Sequence, residues 1–95
     1  MVALLTAHLR LPGCSSLKEK RGRLKPLLHR LRREFNLSTA ELDLQDDWDQ
    51  ALIGCAMLGN DAAHLRSALE TVRAWLESHW SDGDIIATHI EVTSL

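Results

Sequence analysis

The sequence predicts one α+β domain whose elements follow in the order strand, helix, strand, strand, helix, strand. A chain of 95 residues can bury one hydrophobic core but not two. Four short segments show the alternation or the apolar density of strands, and two longer segments repeat apolar residues at helical spacing. The composition, with 45% hydrophobic and 25% charged residues, is typical of a globular domain.

The first strand is predicted over residues 2–11, because the odd-numbered positions from 3 to 11 are all apolar. Thr6 and His8 fall on the opposite face, as expected for a strand that is covered on one side only. Pro12 and Gly13 then predict a turn.

The first helix is predicted over residues 17–35, where apolar residues recur at helical spacing. Ser16 and Glu19 fit a capping box, in which each side chain binds a free amide of the first turn. Pro26 lies inside this helix, and an interior proline costs about 3 kcal/mol because it removes a backbone hydrogen bond. We therefore expect a kink or a break near Arg23 unless the surrounding packing holds the helix together.

The rest of the chain predicts three strands and a second helix. Alternation over residues 37–44 indicates a strand, and the polar segment 45–50 separates it from the apolar strand at 51–59. An apolar stripe between residues 65 and 76 indicates the second helix, and residues 85–95 indicate the last strand.

This order predicts a ferredoxin-like βαββαβ fold over residues 1–95, since each helix returns the chain to one sheet by a right-handed crossover. We expect a four-stranded antiparallel sheet with two helices on one face. The other face would be open to water, to a partner or to a second copy of the chain. Parity assigns to this open face Leu4, Thr6, His8 and Arg10 of the first strand and Ile85, Ala87, His89 and Glu91 of the last.

The sequence predicts a soluble, cytoplasmic protein. The amino terminus has no basic residue before its apolar run, and no segment approaches the roughly 20 apolar residues of a membrane span, so no membrane contact is expected. Cys14 and Cys55 lack the spacing of a disulfide framework or a zinc site and are interpreted as free thiols.

The charge of the chain is strongly segregated. Residues 1–33 hold nine cations and one acid, a net charge of +8, whereas residues 34–95 hold two cations and twelve acids, a net charge of -10. On a helix that advances by roughly 100° per residue, four of the cations share an arc of about 60°. These four are Lys18, Arg21, Lys25 and Arg32.

This basic stripe has two interpretations. It could bind the phosphates of a nucleic acid, with Lys20 and Arg23 assisting and with Ser15 and Ser16 seating one phosphate at the helix start. Alternatively, it could be a solvated face that pairs with the chain's own acids. Those acids would be Glu41, Asp43, Asp46, Asp47 and Asp49.

Aromatic residues are absent from the first and third strands, so bases cannot stack on the sheet in the manner usual for this fold. Any nucleic acid would therefore meet the helix surface. Trp48 is interpreted either as a partner contact or as a side chain that folds back over the edge of the sheet.

No set of residues predicts catalysis or metal binding. No nucleophile, base and orienting group can be named together, so the sequence disfavours an enzyme. The acids around Trp48 lack the glycine and the final glutamate of a calcium loop. His8 and His89 are interpreted as a polar cross-strand pair rather than a metal site. We expect no cofactor.

Residues 10–41, RLPGCSSLKEKRGRLKPLLHRLRREFNLSTAE, resemble the YlxP-like family of small bacterial proteins of unknown function. The segment QDDWDQALIGCAMLGND extends the resemblance over most of the chain. Gly22 and Pro26 depart from the family pattern. The resemblance implies a ferredoxin-like fold and, because members are often encoded beside translation and ribosome-maturation factors, contact with RNA or a ribosomal subunit.

Together these observations suggest a non-enzymatic accessory protein that contacts structured RNA, ribosomal or pre-ribosomal, through its basic first helix. The alternative is a protein-interaction module, or a homodimer, that docks through the open sheet face and the Trp48 loop.

Overall fold

The computed structural model describes residues 1–95 and contains the six elements in the predicted order. These are β1 (Val2–Arg10), α1 (Leu17–Glu34), β2 (Ser38–Asp43), β3 (Gln50–Leu58), α2 (Ala62–His79) and β4 (Asp84–Thr93). The strands form one antiparallel sheet in the order β2-β3-β1-β4. The ferredoxin-like α+β fold is confirmed.

The core lies between the sheet and both helices. Odd-numbered residues of β1 point inward, and Leu5 and Leu9 are at most 1% exposed. Leu31 of α1 and Leu69 of α2 are equally buried, so both helices pack on this one face of the sheet. No helix is both long enough and apolar enough to cross a membrane.

Helix α1 runs without a break through Pro26, so the exception allowed for packing applies and there is no break near Arg23. The proline deprives only the carbonyl of Gly22 of its helical partner, and Gly22 and Pro26 are both exposed. Water can satisfy that carbonyl, while the buried Leu24 and Leu27 hold the helix against the sheet.

A bulge in β4 changes one part of the predicted open face. Its register against β1 shifts between His8 and Leu9, where β4 contains one extra residue. Ile85 therefore faces Leu9 and packs on the core, contrary to the parity prediction, and Ile86 is left 49% exposed. Beyond the bulge, His89 lies opposite Thr6 rather than His8.

Both cysteines are free thiols, as the sequence predicts, and both are buried in the core. Burial raises the pKa of Cys55 to about 11, so its thiol stays protonated at neutral pH and is a poor nucleophile. No cluster of three or more His, Cys, Asp or Glu side chains is arranged to hold a metal ion.

The loop between β2 and β3 is held by a buried lysine of α1. Lys20 is 1% exposed, and its ammonium donates to the carbonyls of Leu44 at 2.6 Å and Asp47 at 2.7 Å. Glu41 Oε2 lies 2.8 Å from the same nitrogen, at an angle that makes this contact an ion pair rather than a directed hydrogen bond. Leu44 has a φ of 63°, a left-handed conformation that a non-glycine residue adopts only when its surroundings hold it.

We expect Lys20→Met to lower the free energy of unfolding by about 3 kcal/mol, because it leaves a largely buried carboxylate and two carbonyls without their cation. Urea denaturation followed by circular dichroism would measure this loss. Lys18→Met, at an exposed position of the same helix, is the matched control and should change stability by no more than about 0.5 kcal/mol. Equal losses for the two variants would contradict a structural role for the Lys20 ammonium.

Candidate nucleic-acid interface on the first helix

Most cations of α1 have no acidic partner. No carboxylate lies within 4.0 Å of six of them, and all of these except Arg30 are exposed. Of the five acids named as possible partners of the stripe, only Glu41 forms an ion pair, and it does so with Lys20. The proposed pairing of the stripe with Asp43, Asp46, Asp47 and Asp49 is therefore wrong. The six unpaired cations are Lys18, Arg21, Lys25, Arg30, Arg32 and Arg33.

Three residues of the predicted stripe converge on a groove between α1 and β2. Arg21, Lys25 and Arg32, together with Leu24, Leu28 and Glu41, line this groove of about 210 Å³. Lys18 lies two turns before Lys25 on the exposed surface, so the stripe extends for about 21 Å at a rise of about 1.5 Å per residue.

Arg32 is partly fixed in place. Its Nη1 donates to Thr39 Oγ1 at 3.0 Å and, at 3.4 Å, to the Thr39 carbonyl. Thr39 Oγ1 in turn donates to the carbonyl of Leu28 at 3.4 Å. These contacts leave the guanidinium exposed, while reducing the conformational freedom that it would lose on binding an anion.

Lys20 does not belong to the anion-binding surface, contrary to the sequence-based prediction. Its ammonium is buried beneath α1 and is already bound by three oxygen atoms. A phosphate at the helix surface cannot reach it.

Arg23 does not belong to the anion-binding surface either, because its guanidinium links α1 to two loops. It forms an ion pair with Asp82 at 2.8 Å, donates to the Asp82 carbonyl at 2.6 Å and donates to the Pro12 carbonyl at 3.1 Å. Its side-chain hydrogen bond to Asp82 raises the pKa of Arg23, against the opposing effect of burial.

The phosphate-binding site predicted at Ser15 and Ser16 is occupied by the carboxylate of the chain's own Glu19. The Glu19 carboxylate accepts hydrogen bonds from the amide and the hydroxyl of Ser15, each at 3.0 Å, and the Ser16 hydroxyl accepts from the Glu19 amide at 3.1 Å. These hydrogen bonds, the backbone one first, lower the pKa of Glu19. A negative charge already caps this helix terminus and would repel a phosphate.

Trp48 is not packed against the hydrophobic core. Its side chain is 55% exposed in the loop that Lys20 holds, so it remains available to a partner.

The structure also shows a cation and aromatic cluster that the sequence analysis missed. The Arg30 guanidinium lies 5.0 Å from the ring centroid of Trp75, and the His79 ring stacks on Trp75 with centroids 4.9 Å apart. A cleft of about 340 Å³ between the helices runs from Arg30 to His79 and Trp80. The i, i+4 spacing of residues 75 and 79 hints at the stacking, but no sequence pattern predicts that Arg30 faces them.

Comparison with known proteins places the chain in a family. The family described as "Protein of unknown function (DUF503)" matches residues 2–90. The chain is also 36% identical over 63 residues to the "Uncharacterized protein YlxP" of Bacillus subtilis (strain 168), an alignment that covers 66% of this chain and 68% of that protein. The chain belongs to the DUF503 family, as the sequence resemblance indicates.

We expect the stability that Glu19 confers to depend on pH. Because folding lowers the pKa of this carboxyl below its ordinary 4.5, its contribution is fully present above that pH and is lost as the pH falls through the lower, folded value. Thermal unfolding of wild type and Glu19→Gln between pH 7 and pH 3 should show wild type the more stable at neutral pH and the two converging in acid. A difference that stays constant over this range would contradict a charged cap.

Proposed function

We propose that this member of the DUF503 family is a cytoplasmic, non-enzymatic accessory protein that contacts structured RNA, ribosomal or pre-ribosomal. The contact would use Lys18, Arg21, Lys25 and Arg32. One observation supports the proposal above all: these cations project from a single helix face without any acidic partner, although the chain as a whole carries more acids than bases.

The length of the stripe favours a polymer over a small anion. Its cations extend for about 21 Å along α1, whereas one small anion would need only a converging pair. Phosphate contacts by lysine and arginine release condensed counterions, which makes the affinity strongly dependent on salt. A helix surface of this kind would recognise RNA by shape and backbone rather than by sequence.

We expect the wild-type protein to sediment with ribosomal subunits at 50 mM salt and to lose about 100-fold in RNA affinity between 50 and 200 mM, the salt dependence of roughly four neutralised phosphates. Reversing Lys18, Arg21, Lys25 and Arg32 to Glu should abolish the association, because it puts four negative charges where phosphates would lie. Co-sedimentation and fluorescence anisotropy with a labelled structured RNA would measure both effects.

A single reversal provides a matched control. Lys25→Glu and Arg66→Glu change the net charge equally, both at exposed helical positions without an acidic partner, but Arg66 lies on α2. Lys25→Glu should weaken RNA binding at least tenfold and Arg66→Glu much less. Equal weakening would indicate a nonspecific effect of net charge, and retention of binding by the four-site variant would refute the proposal.

A second candidate function is docking of a protein partner or a second copy of the chain. Exposed apolar side chains favour it: Trp48 in the loop, Leu42 at 45% exposure where it lies across Gly54, and Ile86 at the β4 bulge. A Cβ at position 54 would meet Leu42 Cδ1 at 2.5 Å, so glycine is needed there for Leu42 to cover the strand.

If this apolar surface docks a second copy of the chain, the protein should form a dimer that persists at 1 M salt, because apolar contacts are not screened. Analytical ultracentrifugation of wild type, Ala87→Lys and Trp48→Ala would measure it. Ala87 is exposed on the open face, so a lysine there should dissociate the dimer without unfolding the chain. A wild-type monomer at high protein concentration would exclude the dimer.

A further inference from the structure

Helix α1 contains two residues that its own stability does not favour. Gly22 and Pro26 lie one turn apart on its exposed surface, and they are the two poorest helix-forming residue types. Packing does not require the glycine, because a Cβ built at position 22 meets no atom within 4 Å. Helix propensity and close packing therefore do not account for the glycine.

The pair does shape the surface of α1. Two clefts adjoin on the helix and share Gly22 and Pro26 as lining residues. Gly22 and Pro26 thus form a depression in the helix surface where the two clefts meet, and we call this depression the notch. The inner cleft leads from the notch toward α2, and the outer cleft, about 320 Å³, leads along α1 past Lys25, His29 and Arg32.

The two clefts differ in chemistry. The outer cleft is lined by Lys25 and Arg32, two cations of the basic stripe. The inner cleft, about 340 Å³, combines the Trp80 side chain with the Arg30 guanidinium, His79 and the Arg23–Asp82 ion pair. Its volume is at the low end for ligand pockets, which run from about 300 to 1,000 Å³, and suits one planar group rather than a duplex.

The two sides of the notch match the two parts of a single nucleotide. The phosphate-binding cations on one side suit its phosphate, and the aromatic, cationic cleft on the other side suits its base. Unpaired bases of RNA stack on aromatic side chains or arginine planes, whereas the bases of a continuous duplex are not accessible for such contacts. A small side chain at position 22 is what allows a backbone to pass between the two clefts.

Extending the proposed function, on which this step rests, we infer that the RNA backbone crosses α1 at the notch and that one unpaired base enters the inner cleft beside Trp80 and His79. The preferred partner is therefore structured RNA that carries an unpaired or bulged nucleotide. Lys25 and Arg32 hold the phosphates on the outer side.

Gly22→Gln tests this without changing charge. The longer side chain fills the notch, and replacing a helical glycine at an exposed site should raise the melting temperature by about 4 °C, so loss of folding is not a concern. The probes are two fluorescein-labelled RNA hairpins that differ by one bulged nucleotide. We expect wild type to bind the bulged hairpin at least tenfold more tightly than the fully paired one, and Gly22→Gln to bind both with the weaker affinity.

Ser67→Gln, at an exposed position of α2, is the control for adding the same side chain to a helix, and it should behave as wild type. If Gly22→Gln keeps the preference for the bulged hairpin, or if wild type shows no preference, the inference is overturned while salt-sensitive binding to both hairpins still supports the proposed function. If wild type binds neither hairpin at 50 mM salt, both are overturned.

Discussion

The buried ammonium of Lys20 is the constraint on which the arrangement of the two charged regions depends. It belongs to the inward face of α1, with Leu24, Leu27 and Leu31, and this fixes which residues of the helix point outward. It also binds the β2–β3 loop at the Leu44 and Asp47 carbonyls, so the acidic loop is held through its backbone. The carboxylates of that loop thus stay exposed, and the outer cations of α1 are not neutralised by them.

Local patterns predicted the elements and the core well, because apolar periodicity records which face each segment buries. They failed where one residue changes the geometry. An extra residue in β4 turns Ile85 inward, and no alternation in the sequence reveals where such a bulge lies. Pro26 was expected to interrupt α1 unless packing held the helix, and packing does hold it: an exposed proline removes a hydrogen bond that water can replace, and the buried leucines preserve the helix.

The candidate site was predicted only in part, for a different reason. Lys20 and Arg23 were expected to assist the stripe at the start of the helix, but both are bound by groups that are distant in sequence: Leu44 and Asp47 for Lys20, Asp82 for Arg23. Whether a cation is free or already bound is a property of the tertiary structure. The same holds for Arg30, whose contact with Trp75 comes from the packing of α1 beside α2.

Because the inner face of α1 is stabilised by packing, its outer face can contain residues that do not favour a helix. A glycine in a helix costs about 1 kcal/mol relative to alanine and an interior proline about 3 kcal/mol, so these residues would disrupt an isolated helix of this length. Here Leu24, Leu27 and Leu31 bury their side chains almost completely, and each can contribute about 1.5 to 3 kcal/mol. That packing offsets the cost of Gly22 and Pro26, and the surface they lower lies between the unpaired Lys25 and the Arg30–Trp75 cluster.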